Sequence, residues 1–275
     1  MAQTGGGCPS TIPLEPIRHR IGKRRCFRPV VARLLTYNVH RCVGVDGKLD
    51  VARVAEVIAA QSPDIVALQE VDVGRARTGG VDQAERLAQR LGMAFHFHAS
   101  VRVESELYGD ALLTVRPERL VKTGRLPGDP RFPQLEPRGA LWIAIDIDGV
   151  ELQVINTHLG LMPREQRSQA IALAGPEWLG GEQRNDPLML VGDFNATPLA
   201  AAYRTLASRL TDARRAAPFA RALPTFPSRL PILAIDHVFV SPGVRVQAAR
   251  TALDPLSRSA SDHVPLIVDF RLEAR

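Results

Sequence analysis

From Arg33 onward, short apolar runs alternate with helical patterns, and one run after another ends in a polar or charged residue. RLLTYNV (33–39) and DIVALQE (64–70) read as buried strands. Between them Val51, Val54, Ala55 and Ile58 share one face of a helix capped by Asp50, and Pro63 closes the connection. A second helix follows in VDQAERLAQRLG, where Asp82 caps, Glu85 completes a capping box and Gly92 stops the run. ALWIAIDI and ELQVINTHL are joined by Asp148-Gly149, a strong hairpin signal. A helix over 164–174, a strand over 188–191 and a short helix over 199–208 come next. AIDHVFVS (234–241) and VPLIVDFRL (264–272) finish the chain. Hairpins mixed with helices predict an α/β fold with mixed sheets flanked by helices, not a simple parallel doubly wound sheet.

No repeat or linker interrupts residues 34–275, so residues 33–275 are expected to form a single domain. Residues 1–32 read as a basic, disordered tail opening with the Gly-rich MAQTGGGCPS. The formal net charge of +6 is local: seven of the 35 basic side chains and one of the 29 acidic ones lie in residues 1–33. That leaves 28 of each sign, a neutral body that gives no support for a duplex-binding surface. Nucleic acid stays open as a partner, as does peripheral membrane contact through the tail; a solvated tail is the preferred reading. No apolar run approaches the roughly 20 residues of a membrane helix. The start lacks the apolar core of a secretory signal, and three cysteines without a CxxC spacing suit a reducing compartment. The expected location is cytoplasmic.

In PLMLVGDFNATP (187–198), Asp193 and Asn195 stand two apart, and in an extended chain both would point to one side. The same letters also make turns. Similar groups recur at other strand ends: Asn38, Glu70, His158, Asp236, Asp262 and His263. Each has an ordinary reading, such as a strand-end hydrogen bond for Asn38 or a salt bridge from Glu70 to Arg75 or Arg77. Their recurrence at strand ends, which gather at one edge of a layered α/β fold, points to a site. Asn38 and Glu70 offer hard oxygen donors suited to magnesium, while nothing has the spacing of a zinc site. His263 beside a carboxylate can polarise or deprotonate water, and His158 can donate to a phosphoryl oxygen. The set fits metal-assisted hydrolysis of a phosphate ester.

LTYNVH, IVALQEVD, NTHLG, GDFNATP, IDHVFVS and SDHVPL, in this order, resemble the endonuclease/exonuclease/phosphatase superfamily, which includes deoxyribonuclease I, abasic-site endonucleases, sphingomyelinases and inositol polyphosphate 5-phosphatases. The resemblance covers about 34–272. GRARTGGVDQAERLAQRLGM, YGDALL, EPRGAL and TFPS resemble a small bacterial branch. It implies a deoxyribonuclease I-like four-layer α/β/β/α sandwich with its site at one edge. It places Asn38, Glu70 and Asp262 at metal-binding positions, for Mg2+ with Mn2+ as substitute. His263 stands next to the attacked phosphorus and Asp236 holds it. Asp193 and Asn195 position or activate water and bind phosphoryl oxygens; His158 contacts the phosphate and assists the leaving group. Either Asp193 or His263 takes the proton. Arg138 in EPRGAL is a phosphate-side candidate, or packs against Glu136 or Asp110.

One departure from the pattern is Asp110, where asparagine is expected, with a Ser-Arg pair near Thr114-Val115. An extra carboxylate there weakens phosphate binding, adds a metal contact or is a surface exchange, the last being the preferred reading. The expected function is a Mg2+-dependent phosphodiesterase on a phospholipid, small-molecule or nucleic-acid diester. A phosphomonoesterase and a catalytically silent phosphate-binding module are the alternatives.

Overall fold

Alternate residues of each buried run face different cores. In strand β1 (Ala32–Asn38), Leu34 joins one apolar cluster while Leu35 and Tyr37 join another, as the two-residue period of a strand requires. Ile65 and Ala67 against Val66 and Leu68 divide β2 (Ile65–Val73) in the same way. A strand with apolar residues on both faces must be covered on both, which the layering supplies.

The structure is a computed structural model describing residues 1–2, 31–180, 186–218 and 224–273. The expected N-terminal tail lies almost wholly outside the described residues. After β1 come α1 (Val51–Gln61), β2, α2 (Gln83–Leu91), β3 (Ala94–Val103), β4 (Glu106–Thr114), β5 (Glu118–Arg125), β6 (Gly139–Ile147), β7 (Val150–His158) and α3 (Pro163–Ala174). The second half holds β8 (Leu188–Asp193), α4 (Ala201–Ala207), β9 (Thr211–Asp212), α5 (Ala213–Ala216), β10 (Asp236–Val240), β11 (Val244–Thr251), α6 (Pro255–Ala260) and β12 (Leu266–Leu272).

The strands form two six-stranded sheets, ordered β11-β12-β1-β2-β4-β3 and β5-β6-β7-β8-β10-β9. Each is mixed: β1 and β2 run parallel, as do β7 and β8, while their other neighbours are antiparallel. Leu34, Ile65 and Leu112 of the first sheet meet Leu141, Val154, Met189 and Val238 of the second in a core between the sheets. Val54, Ile58, Leu87 and Ala260 from α1, α2 and α6 cover the outer face of the first sheet. Ala170, Leu173, Ala202 and Leu206 from α3 and α4 cover that of the second. The order of layers is therefore helix, sheet, sheet, helix. No helix among the described residues is long and apolar enough to cross a membrane.

Local signals explain the element ends. Asp50 accepts from the Arg53 N–H at 2.9 Å and Asp82 from that of Glu85 at 2.9 Å. Gly92 ends α2 in the left-handed region, and Asp148 (φ 54°) with Gly149 (φ 87°) makes the tight turn of the β6–β7 hairpin. Between the sheets, from the middle of β2 to the last residues of β7, lies a polar tie. Gln69 Nε2 donates to Asn156 Oδ1 at 2.7 Å and to Thr36 Oγ1 at 3.1 Å. Asn156 Nδ2 donates to the carbonyls of Leu68 (2.8 Å) and Ala111 (2.9 Å). These bonds fix one sheet's register on the other.

Candidate active site

Parallel pairing sets His158 opposite Asp193, and antiparallel pairing sets Asp193 opposite Asp236. Three of the predicted residues thus form one row across β7, β8 and β10. Gly192 allows it: its φ is +137°, and a Cβ there would lie 1.9 Å from the Thr157 carbonyl oxygen. The period-two reading of Asp193 and Asn195 does not hold, because β8 ends at Asp193 and Asn195 has turned to φ +47°. Its backbone N–H donates to Asp193 Oδ1 at 2.8 Å, and its side-chain amide lies 3.0 Å from His158 Nε2. The segment is a turn as well as a site, and the turn brings the two side chains together. Gln166 Nε2 donates to the Asn195 carbonyl at 2.8 Å and steadies it.

The other oxygen of Asp193 is the focus of the site. Asn38 Nδ2 donates to Oδ2 at 3.0 Å, and His158 Nε2 and His263 Nε2 lie 3.5 and 3.7 Å away. His263 Nδ1 is bound to Asp236 Oδ2 at 2.8 Å, an imidazole–carboxylate dyad. Asn38 Nδ2 also donates to Glu70 Oε1 at 3.0 Å. Glu70 reaches this point from a bulge: pairing of β2 with β4 shifts between Leu68 and Val71, and Glu70 adopts φ +60°. The salt bridges that would have explained Glu70 away are made by others, Arg77 with Asp72 and Arg75 with Glu106. Ser261 Oγ links Asp262 to Asn38, donating to the Asn38 carbonyl at 2.8 Å and lying 3.2 Å from Asp262 Oδ1.

Burial, and then the neighbouring Asp236, lift the Asp193 carboxyl to about 7. For His263 burial acts downward, but Asp236 and Asp193 outweigh it and raise the imidazole to about 10. Asp236 moves the other way: burial would raise it, and His263 brings it below the usual carboxylate range. His158 is held well below the ordinary histidine value by burial, with Arg138 and His263 adding to the effect. At neutral pH the dyad is an imidazolium–carboxylate pair and His158 is neutral.

Arg138 bears on the tautomer of His158. It is buried, and its Nη1 lies 3.1 Å from His158 Nδ1 and 2.8 Å from Glu136 Oε1. A guanidinium can only donate, so Arg138 favours the lone pair on Nδ1 and the ring proton on Nε2, toward Asp193 Oδ2, while the Asn195 amide nitrogen, also a donor, competes for Nε2.

The reading of Asp110 as a surface exchange is overturned. Asp110 lies on the inward face of β4, the face that carries Leu112 into the inter-sheet core, and is buried with Oδ2 unpartnered. Burial lifts its carboxyl well above the ordinary range, and Arg138, Glu136, Glu70 and Asp193 are the charges that act on it. Thr114, near the expected Ser-Arg pair, is a buried strand residue bonded to the Asp64 carbonyl at 2.9 Å.

Two supports were not legible in advance. One is the Gln69–Asn156 tie under the site. The other is His237, whose Nε2 donates to the Ala196 carbonyl at 2.8 Å while Nδ1 faces Asp212 Oδ2 at 3.1 Å and Arg214 Nη1 at 3.0 Å. The sequence signal for both is position: Asn156 is two residues before His158, and His237 directly follows Asp236.

The donors suit a hard divalent cation. Glu70 Oε1 and Asp193 Oδ2 are drawn to one amide nitrogen of Asn38, and the buried Asp236 Oδ1 has no partner. Asp193, Asp236 and His263 offer ligand atoms within 4.8 Å of one another. Carboxylates, an amide and imidazoles around a buried anion form a set that can bind a phosphate ester, hold a cation and move a proton.

Known proteins share this arrangement of strands. The chain is 26% identical over 252 residues to YbhP of Escherichia coli K12, covering 87% of this chain and 96% of YbhP. Among solved structures, an endonuclease/exonuclease/phosphatase from Beutenbergia cavernae superposes with a TM-score of 0.73 at 25% identity, covering 90% of this chain and 72% of that one. The mannosyl-6-phosphatase of Bacteroides thetaiotaomicron shares the fold with a TM-score of 0.68 at 20% identity, covering 87% of this chain and 99% of that one. The sequence model of the Endonuclease/Exonuclease/phosphatase family matches residues 35–263, well over half the length. With that span matched and the layered sheets in place, the chain belongs to the endonuclease/exonuclease/phosphatase family.

Proposed function

We propose that the protein is a Mg2+-dependent phosphodiesterase in which water attacks phosphorus in line with the leaving oxygen. The observation that carries this reading is the convergence of Asn38, His158 and the Asp236-bound His263 on one oxygen of Asp193. Glu70 and Asp262 would hold the cation, with Asn38 through its Oδ1, which here accepts from the His40 N–H at 3.0 Å. When bound, it polarises the phosphoryl group and offsets its negative charge. Asp236 is already committed to His263, so Asp193, Asp236 and His263 are read as the groups that move protons.

Asp193 takes the proton of the attacking water. Its carboxyl, lifted to about 7, accepts a proton near neutral pH more readily than an ordinary carboxylate. His263, kept protonated by Asp236, donates to a phosphoryl oxygen as charge builds there. The Asn195 amide nitrogen turns from His158 Nε2 to bind a second oxygen, and the neutral His158 then hydrogen-bonds the leaving oxygen through Nε2–H, the oxygen taking its proton from solvent. The bond from water oxygen to phosphorus forms as the bond to the leaving oxygen breaks. Arg138 acts through His158, by favouring its Nε2–H tautomer.

The test compares bis-p-nitrophenyl phosphate with p-nitrophenyl phosphate, each in Mg2+, Mn2+ or EDTA. Cleavage of the diester that requires metal is the expected result. Cleavage of the monoester alone would favour a phosphatase, the activity named for the Bacteroides structure. Tight phosphate binding without turnover under either metal would favour a silent binding module. The neutral body supports a small-molecule or lipid diester over duplex nucleic acid. We also propose a cytoplasmic location, on the cysteine pattern.

A further inference from the structure

The loops that leave the row of His158, Asp193 and Asp236 hold apolar side chains in solvent. Leu161, three residues past His158, is 69% exposed; Leu199, six past Asp193, is 84% exposed. Leu230 and Ile232, in the segment leading into Asp236, are 70% and 66% exposed. Single exposed leucines are ordinary. These are not scattered: β7, β8 and β10 are adjacent, and the three site residues are paired across them. The loops therefore leave one edge of one sheet side by side.

Hydrogen bonds hold these tips in place. Arg204 Nη1 donates to the Leu199 carbonyl at 2.6 Å, and the Leu230 and Ile232 N–H groups donate to the carbonyls of Pro227 (3.1 Å) and Phe226 (2.9 Å). Arg229 reaches across to the Val45 carbonyl at 3.0 Å. Charge on the three loop segments themselves has one sign. Residues 159–164, 195–207 and 224–235 contain no acidic residue, whereas Arg164, Arg204 and Arg229 are exposed among the apolar tips.

We infer that this rim docks on the surface of a phospholipid bilayer, so that the substrate is a phosphodiester headgroup presented at that surface. Whatever covers the rim also covers the way to Asp193, so a partner that only bound there would block the site. A bilayer instead supplies apolar chains for the leucines, anionic phosphates for the arginines and a phosphodiester between them. The headgroup part rests on the phosphodiesterase reading; docking itself does not.

The test is sedimentation of the full chain with vesicles of phosphatidylcholine and phosphatidylglycerol in EDTA, where turnover plays no part. It is run beside a variant carrying L161S, L199S, L230S and I232S, with the double variant L199S/I232S as a milder change and circular dichroism to show that each is folded. The wild type is expected to pellet with the vesicles, and the fourfold variant to need about tenfold more lipid for half-binding. Binding without diesterase activity would leave the docking surface standing and remove the headgroup assignment. A wild type that stays in the supernatant would overturn the inference. So would equal binding by all three proteins, which would assign the contact to the basic N-terminal segment. Concentration-dependent dimerisation of the wild type that the variants lose would also overturn it, giving the rim to a second copy of the chain.

Discussion

Asp110 shows what a single atom's environment decides. Its place in YGDALL is legible, but its direction is not, because β4 is buried on both faces and the letters do not say which face a carboxylate takes. Facing inward with Oδ2 unpartnered, its carboxyl is neutral well above 3.8, the value it has when unfolded. The stabilisation from that neutral form is complete below 3.8 and is lost as pH rises through the raised folded value. Asp110→Asn removes the titration. The variant is expected to match the wild type near pH 4 and to exceed it increasingly at higher pH, by about 1–3 kcal/mol, in urea unfolding without metal. Equal stability across the range would mean that the carboxylate finds a partner.

The dyad makes a second prediction at this scale. Asp236 keeps His263 protonated up to about pH 10, and the proposed role of His263 needs that proton. The wild-type rate on a soluble diester should therefore fall as pH rises through that region. In Asp236→Asn the fall should come about 1–3 pH units lower. An unmoved alkaline limb would separate His263 from the limb. The type and order of these residues were readable in SDHVPL and IDHVFV. Which charge each carries was not, since that depends on neighbours brought from strands far apart in sequence.

At the scale of elements, buried runs declared themselves and half-exposed ones did not. β1, β2, β6, β7 and β8 are buried along most of their length and each carries apolar residues through its middle, and the hairpin of β6 and β7 carries its own turn signal. β3 and β5 lie at sheet edges with much of their surface in solvent, so FHFHASVRV and ERLVKTGR lack that signature. The bulge that aims Glu70 was likewise invisible, being a mismatch between two strands. The tie between the sheets belongs here too. Removing Asn156 would strip partners from Gln69 and from the Leu68 and Ala111 carbonyls. Asn156→Ala is expected to cost about 2–4 kcal/mol in chemical denaturation and to lower diester turnover. A cost under about 0.5 kcal/mol would show that the sheets hold their register without it.

At the scale of the whole molecule, two sheets with parallel centres place the ends of β1, β7 and β8, the bulge of β2 and the start of β10 around one point. Layering buries the strands, burial lifts Asp193, and the edge leaves loops free to meet a substrate. The fold class followed from hairpins mixed with helices, and the layer order from the family's motifs. The site's centre was legible only as a list; Asp193 as the point of convergence needed the register of three strands. The measurement that tests this account most directly is diester turnover by Asp193→Asn beside the wild type at saturating Mg2+, with the fold of each checked by circular dichroism. The account predicts a folded variant slowed by about 10³-fold or more. A folded variant turning over within about threefold of the wild type would place the chemistry elsewhere and contradict it.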